Sequence, residues 1–263
     1  MKNISFTKMS AAGNDFIVID NRRARFPARR KSLIRNLCAR CAGIGADGIL
    51  LLCRSQQADF RMRIFNPDGS EPEMCGNGAR CIALYARHKR LIAKQFTMET
   101  KAGIIKGTIN SPDKITLFMG APQDIRLNLK IKVAGKYINI YTINTGVPHV
   151  ILYVNNINEI AVEDIGRRIR YLKKFAPAGT NVNFVQLNDN NRIAVRTYER
   201  GVEKETLACG TGAVASAIIS RLVHRLAGKI MVKTRSKDIL KIDTREVTLT
   251  GPAREVYKGA LVI

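Results

Sequence analysis

Apolar and polar positions alternate along this chain with more than one rhythm. Phe16-Ile17-Val18-Ile19-Asp20 and Ile49-Leu50-Leu51-Leu52-Cys53 are short runs bounded by glycine and polar residues and read as strands. Arg61-Met62-Arg63-Ile64-Phe65 and Ile193-Ala194-Val195-Arg196-Thr197-Tyr198 alternate with period two, so each is expected to bury one face. Asn66-Pro67-Asp68-Gly69 is a turn by its Pro and Asp-Gly content. The rhythm then becomes helical. Ala79 to Lys89 carries Ile82, Ala83, Tyr85 and Ala86 on one side, and Ala213 to Leu226 is almost wholly apolar through Ile219, which predicts a buried helix. Thr145-Gly146-Val147-Pro148 and Met119-Gly120-Ala121-Pro122 read as turns, the second as a domain boundary, and no low-complexity linker separates the halves.

The pattern also repeats. Met74-Cys75-Gly76-Asn77-Gly78-Ala79 is matched by Ala208-Cys209-Gly210-Thr211-Gly212-Ala213, 134 residues later. Gly13-Asn14-Asp15-Phe16-Ile17-Val18 aligns with Gly146-Val147-Pro148-His149-Val150-Ile151 at an offset of 133. Gly45 to Leu51 aligns with Gly179 to Val185 at 134, and Ile64-Phe65-Asn66 with Thr197-Tyr198-Glu199 at 133. Matches that recur in order at one spacing indicate two halves of one ancestral fold, a mixed α/β unit used twice.

Composition narrows the class. The 263 residues are 46% hydrophobic and 25% charged, as in an ordinary soluble globular protein of one large or two modest domains. No window approaches the ~18 apolar residues of a membrane span, and Met1 to Phe6 lacks the apolar stretch of a secretory signal, so a cytoplasmic location is expected. Six cysteines are too sparse for a disulfide scaffold. The net charge of +23 is high, and Arg22, Arg23, Arg25, Arg29, Arg30, Lys31, Arg35 and Arg40 follow one another with no acid between them. That stretch is either a footprint for nucleic acid or a solvated helix face. Basic residues are spread along the whole chain, Trp is absent, and no nucleic-acid-binding signature is present, which favours the solvated face.

The two Cys-Gly segments carry the chemistry. Each cysteine is expected where a turn meets a helix start, with small residues behind it that let backbone approach a ligand. Free N–H groups at a helix start favour anions, which would lower a thiol pKa and seat a substrate carboxylate on Gly76 and Asn77 and on Gly210 and Thr211. The duplication would bring both helix starts to one cleft from opposite sides. That suits removing a proton from one face of a carbon and returning one to the other, with one sulfur as thiolate and the other as thiol. A single such cysteine would more simply be a buried small residue; two at equivalent places favour catalysis.

Cys81 lies on the same expected helix, facing away from Cys75, Cys38 and Cys41 form a lone Cys-x-x-Cys on an expected helix, and Cys53 ends a strand. All four are read as packing residues. His88, His149 and His224 share no metal-ligand spacing. His88 and His224 are read as helix-surface or core residues. His149 is either a cleft residue bonded to a catalytic thiol or to Glu199, or a satisfied core histidine.

These segments, with Asn66-Pro67-Asp68-Gly69-Ser70, Thr180-Asn181, Tyr198-Glu199-Arg200-Gly201, Glu205-Thr206 and Gly251-Pro252-Ala253, resemble the diaminopimelate epimerase family end to end. The related proline racemases have two Cys-Gly segments but typically carry His where Asn77 stands. The resemblance implies an α+β fold of two pseudo-symmetric α/β domains, each a mixed, curled sheet around a central helix, with residues 1–119 plus 252–263 in the first and 120–251 in the second. It implies a homodimeric isomerase that needs neither pyridoxal phosphate nor metal and interconverts LL- and meso-diaminopimelate in lysine and peptidoglycan-precursor synthesis. Carried over by position, Cys75 and Cys209 are the bases, and Gly76, Asn77, Gly210 and Thr211 hold the reacting carboxylate. Glu199 and Asn14 meet the ammonium, Arg200, Asn66 and Asn181 read the distal end, His149 assists the thiols, and Tyr257 lies at the dimer interface. Asp47 stands where a substrate-contacting Gln is often found, and Val147 replaces an Asn, leaving Asn144 or Thr145 to compensate.

Two rivals remain at this stage. One is another cofactor-independent, proline-racemase-like enzyme on the same fold, separable by assaying LL-diaminopimelate against proline. The other is a nucleic-acid-binding protein using Arg22 to Arg40. Filter binding to DNA and RNA through a salt series is expected to show no measurable complex at physiological salt; a complex that weakens steeply with added salt would point to the nucleic-acid reading.

Overall fold

A computed structural model describes residues 3–262. Met1, Lys2 and Ile263, at the ends of the expected first domain, lie outside the described residues. The chain divides into two compact units. One comprises the chain up to Leu117 together with the segment from Gly251, and the other is Phe118–Thr250.

The first unit is built from β1 (Asn3–Ala11), β2 (Asn14–Asp20), α1 (Lys31–Cys38), β3 (Gly48–Cys53), β4 (Phe60–Phe65), α2 (Gly76–His88), β5 (Gln95–Thr100), β6 (Gly103–Ser111) and β7 (Lys114–Phe118). β1 is antiparallel to β2, β2 parallel to β3, β3 antiparallel to β4 and β4 parallel to β5. This mixed sheet curls round α2, whose residues from Gly76 to Ala86 are all buried. An enclosed helix must be apolar or internally bonded on every side. Ile82, Ala83, Leu84 and Ala86 supply the first. The second is met by Arg80, which donates to the Gly76 carbonyl at 3.1 Å, the Asn77 side-chain oxygen at 2.8 Å and the Pro252 carbonyl at 3.2 Å.

The second unit repeats the plan with β8 (Gln123–Val133), β9 (Lys136–Asn144), β10 (Pro148–Tyr153), α3 (Val162–Arg170), β11 (Asn181–Asn188), β12 (Arg192–Glu199), β13 (Lys204–Thr206), α4 (Gly210–His224), β14 (Lys229–Lys233) and β15 (Ile239–Asp243), while β16 (Thr248–Pro252) spans the boundary between the two stretches of sequence. Here β9 is antiparallel to β10, β10 parallel to β11, β11 antiparallel to β12 and β12 parallel to β14, the same order of senses as β1 to β5. The central helix is α4, buried from Gly212 to Ser220 and ended by Arg225 in a left-handed conformation (φ 55°). β17 (Arg254–Val262) returns to the first unit and runs antiparallel to β1.

The pairing registers correct the sequence alignment by one residue. Phe16 lies opposite Gly48 and His149 opposite Asn181, while Ile49 lies opposite Phe65 and Val182 opposite Tyr198. Paired strands shift as a unit, because a one-residue slip would turn every side chain to the other face. The offset is therefore 133 throughout β2 to β4, and Asp47 corresponds to Thr180 rather than to Asn181.

Two further expectations change. Helix α1 ends at Cys38, and Cys41 is exposed in the turn beyond it, so it is no packing residue. The basic stretch is not one helix face: of its eight cations only Lys31 and Arg35 belong to α1. Arg22 pairs with Asp20 at 2.7 Å, and Arg40 bridges Asp15 at 2.8 Å and Asp47 at 2.7 Å.

In the second unit α3 packs across β11 and β12 with Gly166 against Tyr198; a Cβ at Gly166 would stand 2.5 Å from the Tyr198 Cβ. Gly166→Ala is expected to destabilise the protein by roughly 1–3 kcal/mol, as overpacking does, measured by urea unfolding.

Candidate active site

Cys75 and Cys209 occupy the same structural position. Each is the N-cap of its unit's central helix with extended backbone (φ −141°, ψ 119° and φ −112°, ψ 113°). The first intrahelical hydrogen bonds close onto their own carbonyls, from Ala79 and Ala213 at 2.8 and 2.9 Å. The amides of Gly76 and Asn77, and of Gly210 and Thr211, therefore precede the first helical bond of each segment. The Cys75 sulfur accepts from the Gly78 amide at 3.5 Å, and the Cys209 sulfur lies 3.5 Å from the Thr211 hydroxyl. Both cysteines are half-buried. A Cβ on Gly212 would lie 3.3 Å from the Cys209 sulfur and 2.3 Å from the Asn183 side-chain oxygen, so this position takes only glycine without displacement.

Three of the other thiols are held in the neutral form. Burial raises Cys81 and Cys53 above the ordinary thiol range and pushes Cys38 up to about 11.

In the first unit Asn77 is fully buried and donates to the Asn14 side-chain oxygen, and Asn14 in turn donates to Asp47 at 2.9 Å. The expected substrate groups Asn14, Asp47 and Asn77 are thus one connected chain, extended inward by Arg80. Asp47 has both carboxylate oxygens engaged, one by Arg40 and one by Asn14 and the Asp15 amide. Lys8 is buried, donates to the Gly45 carbonyl and pairs with Asp15 at 2.7 Å. Burial opposes ionisation of Asp15, but hydrogen bonds from Arg40 and Lys8 outweigh it and hold its carboxyl below the usual range. Asn66 sits in its turn with its side chain donating to the Ser70 hydroxyl at 3.0 Å. Tyr257 is exposed on β17, edge-on to Phe6, and helps line a cavity of about 590 Å³ with Lys8, Asp15 and Arg40.

In the second unit Asn181 accepts from the Arg200 amide at 2.8 Å, while Arg200 donates to the Ala178 carbonyl at 3.3 Å. The structure thus brings together Asn181 and Arg200, two of the three groups expected to read the distal end. Glu199 ends β12 and accepts from Thr206 at 2.9 Å. Burial raises its carboxyl above the ordinary range against the opposing effect of that bond, and no described cation lies in ion-pair range. His149 is fully buried, with Asn183 3.1 Å from its Nδ1; burial, with the Arg200 charge, pushes it down to about 3, so the ring is neutral. It borders a cavity of about 290 Å³ with Arg126, Asn144, Lys174 and Thr180. Asn144 and Thr145 are already engaged: Asn144 accepts from Gly146, and Thr145 donates to the Thr211 carbonyl at 3.0 Å. His88 ends α2 facing Glu255 at 3.5 Å, and His224 packs edge-on against Tyr153 on an exposed helix end.

Arg80, Asn183, Thr197 and Thr206 carry no assigned role in the sequence reading. For Asn183 a signal existed: it is a polar residue inside the otherwise apolar run Val182 to Val185. Among the described residues no cluster of three or more His, Cys, Asp or Glu side chains could hold a metal ion, and no helix is long and apolar enough to cross a membrane.

The comparisons with known proteins agree with one another. The family model described as diaminopimelate epimerase matches residues 6–125 and 141–260, one stretch in each half. Diaminopimelate epimerase from Chlorobaculum tepidum is 42% identical over 262 residues, covering 97% of this chain and 100% of that protein. The protein of the same name from Aquifex aeolicus is 39% identical over 272 residues, covering 98% of each. Among solved structures, a Bacillus anthracis phenazine biosynthesis protein of the PhzF family superposes with a TM-score of 0.76 at 18% identity over the whole of both chains. A probable proline racemase from Agrobacterium radiobacter K84 does so with 0.72 at 15% identity, over 99% of this chain and 93% of that one. The latter two share the fold, two pseudo-symmetric α/β domains with a sheet curled about a central helix. With both halves matched by one family model and full-length relatives near two-fifths identity, the chain belongs to the diaminopimelate epimerase family.

Proposed function

We propose that the chain is an isomerase that interconverts LL- and meso-2,6-diaminopimelate, with Cys75 and Cys209 as the acid–base pair. One observation carries the reading: the two halves of a duplicated fold each place a cysteine at the N-cap of their central helix, at equivalent positions. The full-length relatives favour diaminopimelate over proline, since the proline racemase likeness is one of fold at 15% identity.

The thiolate of one cysteine takes the Cα proton, and the electron pair left behind spreads into the adjoining carboxylate. The thiol of the other cysteine gives a proton to the opposite face, so the two sulfurs exchange protonation states and no net proton is consumed. A positioned acid and base supply only about 10²–10⁴-fold in rate. The greater share falls to stabilising the carbanion, for which fixed helix dipoles and the first-turn amides of Gly76, Asn77, Gly210 and Thr211 are suited. Glu199 and Asn14 receive the reacting ammonium: a half-buried carboxylate with no described cation beside it gains most from one brought by the substrate. Asn181 and Arg200, with Asn66, take the distal amino-acid end, where a guanidinium suits a carboxylate bidentately. His149 assists the thiols as a neutral ring. The reaction draws on no pyridoxal phosphate or metal in this scheme. A homodimer contacting through Tyr257 and a cytoplasmic setting belong to the same reading.

Cα-hydrogen exchange in deuterated water and epimerisation are the direct tests. Cys75→Ala and Cys209→Ala are each expected to lose epimerisation by about 10³-fold or more. Wild-type turnover in either variant would overturn the two-base mechanism.

Glu199 yields a pH prediction. Its folded pKa is raised, so the native state binds its proton more tightly than the unfolded chain. The resulting stability is present below the unfolded carboxylate value and is lost as pH rises through the folded one. Glu199→Gln, which stays neutral, is expected to raise Tm relative to wild type at pH 7 while matching it near pH 4, by calorimetry of the ligand-free protein.

A further inference from the structure

The registers permit a residue-by-residue comparison of what lies beneath each central helix. In the first unit the layer holds Phe16, Leu50 and Ile64, with Leu50 directly across from Ile64; a Cβ on Gly78 would stand 3.0 Å from Leu50. In the second unit the same places, each 133 residues on, hold His149, Asn183 and Thr197, with Asn183 directly across from Thr197 and against Gly212. All six residues are at most 4% exposed. One copy of the fold fills this layer with hydrocarbon and the other with polar groups at the same depth. The first unit shows that the architecture accepts the apolar set. Burying polar groups is unfavourable unless each finds a partner, so the polar set is not there for packing.

Its hydrogen bonds run in one direction. Thr197 Oγ1 donates to Asn183 Oδ1 at 2.9 Å, and Asn183 Nδ2 donates to the Val150 carbonyl at 3.0 Å. A backbone carbonyl only accepts, which fixes the orientation of the Asn183 amide. The 3.1 Å contact between Asn183 Nδ2 and His149 Nδ1 is therefore a bond donated to the ring, and Nδ1 presents a lone pair. The neutral ring then carries its proton on Nε2, a buried atom with no hydrogen-bond partner among the described residues.

We infer that Asn183, held by Thr197 and the Val150 carbonyl, is a positioning residue that sets His149 as the Nε2–H tautomer. It makes the layer under the Cys209 helix a hydrogen-bond donor where the layer under the Cys75 helix is inert. The surroundings of the two duplicated helices are chemically inequivalent for that reason. The consequence for turnover rests on the two-cysteine reading, whereas the tautomer itself does not.

The chain has three histidines, so ring nitrogen shifts of ¹⁵N-histidine protein at pH 7.5, assigned with His149→Gln, read the tautomer without turnover. A pyrrole-type Nε2 and a pyridine-type Nδ1 are expected for His149. The reverse pattern, or a charged ring, would overturn the inference whatever the enzyme's activity. Asn183→Asp replaces the donor with an acceptor and is expected to move the proton to Nδ1 and lower kcat about 10-fold or more with little change in KM; an unmoved proton would sink the proposal. Should that variant not fold, His149→Phe/Asn183→Leu/Thr197→Ile, which carries the first unit's residues, decides. It is expected to melt within a few degrees of wild type yet lose turnover, and its failure to fold would show the polar layer to be structural.

Discussion

A helix leaves its first amide groups without internal partners, and the proposed mechanism sets both reacting thiols at that point of the structure. Two helices, α2 and α4, are enclosed by the sheet of their own unit, and both begin at a cysteine. Enclosure demands small or apolar side chains along the helix body, and the segments that follow the cysteines are rich in Gly, Ala and Ile accordingly. The same enclosure places the helix start where the backbone of a glycine, rather than a side chain, meets whatever approaches. The electrostatic field at that point comes from peptide groups that cannot move away, which is the condition for stabilising charge that exists only briefly.

Around each helix start the two units solve the problem of polar burial differently. In the first, Arg80 reaches back along α2 and bonds the carbonyl of Gly76 and the side chain of Asn77, so a fully buried cation is satisfied by the turn it supports. Asn77 then links to Asn14 and Asp47, and through Arg40 to Asp15. In the second, Thr145 reaches from the loop before β10 to the carbonyl of Thr211, and the polar layer of His149, Asn183 and Thr197 lies beneath. Networks of this kind keep a site rigid provided each member is bonded.

Much of this was legible in the amino-acid sequence, and the reasons are physical. The duplication and both helix starts followed from Cys-Gly-x-Gly segments and a helical rhythm after them, because small residues at a helix entry leave a strong local signature. Boundaries in space were harder. Asp47 falls on Asn181 when Gly45 is set on Gly179, but register is a property of paired strands and is set by the neighbours, not by the run itself. Arg80 could not be read as buried, since a charged residue beside Ala79 and Cys81 looks like any exposed helix position until its acceptors are known. The basic run from Arg22 to Arg40 looked uniform because Asp15, Asp20 and Asp47, which neutralise part of it, lie outside it in sequence and beside it in space.

The return of β17 to pair with β1 orders events on the ribosome. The strand that completes the first unit emerges only after every residue of the second unit has been made. The second unit, by contrast, is contiguous in sequence. In a nascent chain the flank of β1 that β17 covers therefore has no partner strand until the segment after Gly251 has been made.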